Sequence, residues 1–355
     1  MPDKVLNNLK GIHNIDIDSM YKELDGLPQN FTDELSCPVP AEYGKAKNIL
    51  IGGMGGSGIS GDIIETITAN SLNLPLRIVK DFYIPSFVDS STLAVIISYS
   101  GNTEETLALL DECIKRKSKI VALSNGGELK EKASKLSIPY IKINDSLMPR
   151  TAIGNLLNPL LHLFASLFPG CINTGDIKAT RNALKKLREI YTLSSPCPEN
   201  RAKTYAVSIK DKRIFVLGSE KHTRAAALRW KTQINENAKL NIFFNTFPEL
   251  CHNEIIGIAD DPEKNRGNVI FALRSKAESQ SLRRSIDVAL EIMRNSGSEI
   301  FEISNDEESV LSSIMSLCYL GDWISYYLSI LRNVNPTPVT CINMYKKLNK
   351  ERSGK

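Results

Sequence analysis

Asn48-Ile-Leu-Ile-Gly-Gly-Met-Gly-Gly-Ser-Gly58 is the stretch whose reading decides the fold. Its first half is a short apolar run that ends in glycines, the mark of a buried parallel strand. A helix is predicted to follow, from about Gly58 to Asn70. Glycines at a strand-to-helix turn let the backbone approach an anion closely, and the helix N-terminus offers free N–H groups. Gly55, Gly56 and Ser57 are therefore candidate anion-binding residues. Outward from this stretch the alternation continues. Leu76-Arg-Ile-Val79, Leu93-Ala-Val-Ile-Ile-Ser98, Lys119-Ile-Val-Ala-Leu-Ser124 and Pro139-Tyr-Ile-Lys-Ile143 read as strands. Glu104 to Arg116 reads as a helix with Leu107, Leu110 and Ile114 on one face. Strands alternating with helices specify an α/β fold, a doubly wound domain around a parallel sheet.

The pattern then repeats. Residues 155–168 form a very apolar helix, broken at Pro169-Gly170, and 194–200 (Ser-Ser-Pro-Cys-Pro-Glu-Asn) reads as a linker. Strands at Arg213–Leu217, Asn268–Leu273 and Glu299–Ile303 alternate with helices over 222–239, 278–295 and 307–331. After Asn335-Pro-Thr-Pro338 a last helix carries Lys346 and Lys347. The expected organisation is an N-terminal lead-in over 1–46, two similar doubly wound α/β subdomains over 47–170 and 200–335, and a C-terminal helix over 336–355. A site between the two halves follows from that plan.

Composition sets limits on function. A chain of 355 residues has room for two well-buried cores. With 42% apolar and 24% charged residues it reads as neither disordered nor fibrous. The net charge of +4 is spread among mixed-sign neighbours, which argues against a nucleic-acid binder. Seven cysteines without a C-x-x-C pair fit reduced thiols rather than a disulfide framework. No apolar h-region opens the chain and no apolar run reaches about 18 residues, so neither a signal peptide nor a membrane span is expected. The expected location is cytoplasmic.

The glycine loop alone is ambiguous. Gly53, Gly55 and Gly58 satisfy G-x-G-x-x-G, and Asp81 sits near the end of the second strand where a ribose-binding acid would lie. A nicotinamide-dependent oxidoreductase is a real rival on that motif. The third strand breaks the tie. Ile97-Ser-Tyr-Ser-Gly-Asn-Thr-Glu-Glu-Thr106 places Ser98, Ser100 and Thr103 at a strand end, a turn and a helix start. Thr103 is expected to cap that helix, yet capping leaves Ser98 and Ser100 unexplained. A single phosphate held by hydroxyls and amides of two adjacent loops is the more economical reading.

These two loops resemble those of the sugar isomerase (SIS) domain family. Met148-Pro-Arg-Thr-Ala152, Asn235-Glu-Asn-Ala-Lys239, Pro248-Glu-Leu-Cys-His-Asn-Glu254 and the tail Asn335-Pro…Ile342…Lys346 narrow the resemblance. In order, over about 300 residues, they are similar to the metal-free bifunctional phosphoglucose/phosphomannose isomerases. The resemblance implies interconversion of glucose 6-phosphate, and mannose 6-phosphate, with fructose 6-phosphate through an enediol. It implies Gly55, Gly56, Ser57, Ser98, Ser100 and Thr103 as phosphate ligands, and Glu236 as the base that moves the C1/C2 proton. It further implies His252 for ring opening, supplied by the neighbouring subunit of a homodimer, and Lys346 at the sugar oxygens. Arg150 follows a predicted strand end and carries a permanent charge suited to an enediolate. No His/Cys/Asp/Glu cluster has metal-ligand spacing, and no cofactor is expected. A sugar-phosphate sensor and an isomerase of another sugar phosphate stay open as alternatives. Departures from the family pattern lie in 194–212, in 257–267 and at Tyr345 before the lysine pair.

Overall fold

The computed structural model describes residues 2–35, 37–144 and 148–352. Three short helices lead in, α1 (Pro2–Leu6), α2 (Leu9–Ile15) and α3 (Met20–Gly26). Next come β1 (Asn48–Gly52), α4 (Gly55–Thr68), β2 (Leu76–Val79), β3 (Thr92–Ile97), α5 (Glu104–Lys115), β4 (Lys119–Ser124), α6 (Gly127–Lys135) and β5 (Tyr140–Lys142). Helices α7 (Ile153–Leu167), α8 (Gly175–Tyr191) and α9 (Arg201–Ile209) connect to the second alternation. That comprises β6 (Arg213–Ser219), α10 (Arg224–Ala238), β7 (Phe243–Phe247), α11 (Glu254–Ala259), α12 (Pro262–Asn265), β8 (Asn268–Leu273), α13 (Gln280–Asn295) and β9 (Glu299–Ile303). Helices α14 (Val310–Leu331) and α15 (Thr340–Arg352) follow.

Both sheets are wholly parallel, ordered β2-β1-β3-β4-β5 and β7-β6-β8-β9. The second repeats the first with one strand fewer, so the expected likeness of the two halves is a likeness of topology. Each central strand buries both faces, with a period of two. Ile49, Ile51, Val95, Val121, Val216 and Phe271 point into one core shared by both sheets. Their alternates Leu50, Ala94, Ile96 and Ala122 face a separate outer cluster with Leu109 of α5. Phe215, Leu217, Ile270 and Ala272 face another with Ile286 of α13. Helices therefore cover both sides of each sheet, and one helical layer lies between the sheets.

Helix α14 is the spine of that layer and packs on α8, α9 and α10. It is long and apolar enough to cross a membrane, yet all its residues but Val310 and Ser313 are buried inside the fold. Gly321 is what lets α10 approach. A Cβ there would lie 2.2 Å from the Trp230 ring, whose indole N–H donates to the Leu317 carbonyl at 2.7 Å.

Three features depart from the sequence expectation. Strand β7 is an edge strand with Asn245 and Thr246 in its middle, and it lacks the unbroken apolar run that marked the others. Helix α8 carries its buried residues Ile177, Thr180, Ala183, Leu184 and Tyr191 at helical spacing and docks on α14. The stretch 194–200 is built into the protein rather than hanging between halves. Cys197 and Asn200 are buried, and Asn200 caps α9 through the Lys203 amide at 3.1 Å.

Candidate active site

The C-terminal ends of β1 and β3 lie side by side in the first sheet, so their loops converge. Ligands of open parallel sheets gather at such strand ends. The N-terminus of α4 has no side-chain cap, which leaves its first-turn amides, from Gly55 onward, open to an acceptor. Ser57, 4% exposed, stands in that turn, and its hydroxyl accepts the Tyr99 amide at 3.3 Å. From the second loop the Ser98 hydroxyl meets the Thr103 hydroxyl at 2.9 Å and accepts the Gly101 amide at 3.1 Å. The Ser100 hydroxyl accepts the Asn102 amide at 3.2 Å. Thr103 does sit at the N-cap of α5, but it makes no side-chain cap hydrogen bond. Its hydroxyl turns to Ser98 instead, so the expected cap is replaced by a contact inside the cradle. Gly101 closes the turn at φ +73°, where an added Cβ would lie 1.8 Å from the Gly126 carbonyl.

Gly56 links this cradle to Arg150. A Cβ on Gly56 would lie 3.0 Å from the Pro149 carbonyl, so the glycine loop rests on the Met148–Ala152 turn. Glu23 of α3 anchors that turn by accepting from the Met148 amide at 3.0 Å and from the Thr151 hydroxyl. Arg150 is 7% exposed and heavily committed. Its Nε donates to Asn237 Oδ1 at 2.7 Å, and its Nη2 donates to the carbonyls of Pro336 at 2.7 Å and Thr337 at 2.8 Å. Nη1 is left facing Glu236, 3.7 Å from Oε2. Burial pushes the Arg150 guanidinium down, and the carboxylates of Glu236 and Glu23 oppose that shift.

Glu236 stands in the last turn of α10, half-buried. It lines a cavity of about 820 Å³ together with Lys239, Leu240, Val334, Val339 and Ile342. Lys239 ends the helix in the left-handed conformation, φ +55°. Its ammonium folds back onto the Glu236 carbonyl and donates to the Pro336 carbonyl at 3.0 Å. Burial and then the nearby Arg150 charge lower the Lys239 ammonium to about 8, against the pull of Glu236.

The last helix ties the cavity to the hydroxyl cradle. Ile342 lines the cavity, and the Asn349 side chain donates to Glu104 at the start of α5 at 2.8 Å. Residues 342, 346 and 349 fall on one stripe of a helix, so Lys346 shares a stripe with Ile342 at the cavity and Asn349 beside Glu104. Lys347 is turned aside, toward Glu351 at 3.9 Å. No residue of α15 is buried.

His252 is not brought to Glu236 within this chain. Helix α10 runs antiparallel to the strands it connects, so Glu236 lies near the start of β7. His252 sits beyond the end of β7, exposed in a single 3-10 turn, Glu249–His252. Five strand residues place the two roughly 15 Å apart along the strand direction.

Sequence reasoning missed three residues that shape the site: Glu23, Asn237 and Lys239. Asn237 and Lys239 were in plain view within Asn235–Lys239, yet only contacts distinguish them from ordinary helix-end polar residues. Glu23 carries no local signal at all.

Comparison with known proteins gives the family. Residues 198–348 match the family described as Bacterial phospho-glucose isomerase C-terminal SIS domain. The bifunctional phosphoglucose/phosphomannose isomerase of Caldicellulosiruptor bescii is 36% identical, covering 92% of this chain and 98% of that protein. That of Thermoplasma acidophilum is 35% identical, covering 86% and 90%. Among solved structures, a hypothetical protein from Thermus thermophilus superposes with a TM-score of 0.69 at 15% identity, over 98% of this chain and 91% of that one, a likeness of fold alone. Loops, fold and sequence lead to one family: the chain belongs to the bifunctional phosphoglucose/phosphomannose isomerases.

Proposed function

We propose that the chain isomerises glucose 6-phosphate and mannose 6-phosphate to fructose 6-phosphate. The observation that carries this reading is the line of contact from a hydroxyl-lined cradle through Pro149 and Arg150 to Glu236. A phosphate at Ser57, Ser98, Ser100 and Thr103 fixes one end of an opened hexose and leaves its carbonyl end for Glu236 and Arg150. The Glu236 carboxylate takes the proton from C2 of the aldose. The C2–H electron pair forms the C1=C2 bond of the enediol, and O1 gains a proton. Arg150 Nη1, already beside Glu236, stabilises negative charge on the enediolate oxygens without losing its own proton. Glu236 then returns the proton to C1 while O2 loses its proton and becomes the new carbonyl. Lys346 is assigned to the sugar oxygens on the same stripe of α15. Each step is a proton transfer.

His252 is assigned to ring opening in the site of a second copy. Its distance from Glu236 along β7 supports that assignment, as do the exposed Ile342, Met344, Tyr345 and Leu348 of α15, which leave a surface for a homodimer. Units over 47–170 and 200–335 are proposed on similar grounds, since one sheet falls within each. Seven free cysteines support a reducing, cytoplasmic setting.

The test is a chelator-treated assay on fructose 6-phosphate, with glucose 6-phosphate and mannose 6-phosphate detected separately. Both products should form, and Glu236→Gln should abolish both. Failure to form either from well-folded protein defeats the reading.

A further inference from the structure

Arg150 is held by far more of the molecule than its own turn. Nε and Nη2 make three hydrogen bonds, to Asn237, Pro336 and Thr337, which leaves Nη1 to face Glu236. Asn237 is the residue next to Glu236 on α10, fully buried, and it carries both ends of one relay. Its Oδ1 accepts from Arg150 Nε, while its amide nitrogen donates to the Ser325 hydroxyl of α14 at 2.9 Å. Ser325 in turn donates to the Asp322 carbonyl at 2.6 Å. The Asp322 carboxylate pairs with Arg229 at 2.8 Å and accepts from Gln233 at 2.9 Å. The same Arg229 Nη2 donates to the Arg150 carbonyl at 3.0 Å. One buried circuit across α10 and α14 therefore grips Arg150 at both side chain and main chain.

We infer that Asn237 is a positioning residue, aiming Nη1 of Arg150, the nitrogen beside Glu236, at the reacting oxygens, with Ser325 and the Arg229–Asp322 pair as its support. This rests on the isomerase reading above. A side chain buried and bonded at both ends is not needed to bind phosphate, which is held at the other end of the substrate. Its loss should therefore fall on the chemical step.

The experiment compares steady-state kinetics of the full chain with those of Asn237→Leu and Asn237→Asp. Asn237→Leu keeps the branched shape and the number of side-chain heavy atoms and removes both hydrogen bonds. It should lower kcat about 10- to 100-fold while KM for fructose 6-phosphate stays within about threefold. Asn237→Asp keeps an acceptor for Nε and should recover most of that loss. A folded Asn237→Leu protein with wild-type kcat overturns the inference, and so does an Asn237→Asp protein as impaired as the leucine variant. If Asn237→Leu does not fold, Ser325→Ala reads the relay from its far end. It should cost about three- to tenfold in kcat with KM unmoved, and full kcat there overturns the inference. Wild-type protein without isomerase activity would sink the reading itself, whereas active wild type with fully active folded variants sinks only the positioning role.

Discussion

At the scale of single residues, Arg150, the proposed catalytic cation, devotes most of its guanidinium to being held in place. Its fork meets two carbonyls and an amide oxygen in a geometry that a lysine ammonium cannot reproduce, because lysine is a single flexible point charge. Arg150→Lys should therefore lower kcat about 10²- to 10³-fold, although the charge is conserved. Steady-state kinetics beside a thermal melt check this, and near-wild-type turnover would show that charge alone suffices. The candidate residues were partly legible. Ser57, Ser98, Ser100 and Thr103 stood out because small hydroxyls beside glycines at strand ends have few other uses. Arg150 and Glu236 needed the family pattern, since one arginine after a strand and one glutamate near a helix end look like any others. Asn237 was illegible because its importance lies in contacts with residues far from it in the chain, Arg150 on one side and Ser325 on the other.

Among elements, helix α9 and the stretch before it carry an electrostatic consequence. The Lys203 side chain is fully buried, and its ammonium donates to the carbonyls of Leu193 and Ser195, each at 2.8 Å. Burial lowers this ammonium from 10.5 to about 8. Between those values the unfolded chain binds more protons than the folded one, so the Lys203 contribution to stability rises with pH across that window. Below about pH 8 both states are protonated and the burial penalty is fully present. The buried thiols of Cys113 and Cys318, each pushed up to about 12, pull the other way over the same range. The sign is therefore to be read from a difference. Urea titrations at about pH 8 and about pH 10 should show a smaller gain, or a larger loss, of stability with pH in Lys203→Met than in wild type; parallel slopes would refute the assignment. The elements were more legible than the residues. Every central strand announced itself as an apolar run because both its faces are buried. Strand β7 escaped because an edge strand can keep Asn245 and Thr246 in its middle, and α8 escaped because an amphipathic helix between two sheets dilutes its apolar residues with charge.

For the whole molecule the question is how many chains make one site. With Glu236 and His252 at opposite ends of β7, the proposed dimer would complete each site from two protomers. Glu236→Gln and His252→Ala, each nearly inactive alone, should then restore activity when mixed and allowed to exchange. Random pairing makes half the dimers mixed, each with one intact site, so recovery should approach about a quarter of the wild-type rate. No recovery after demonstrated exchange would confine each site to a single chain.

The inner faces of both sheets meet in one apolar core, to which α1, α2 and α3 also contribute Leu6, Ile12, Met20 and Leu24. Such a body has no seam along which to come apart. Loosening the half that carries the hydroxyl cradle should then also loosen the half that carries Glu236, so heat or denaturant should melt the protein as one cooperative unit. A sugar phosphate gripped by the first sheet's loops would then also shield the second sheet from unfolding.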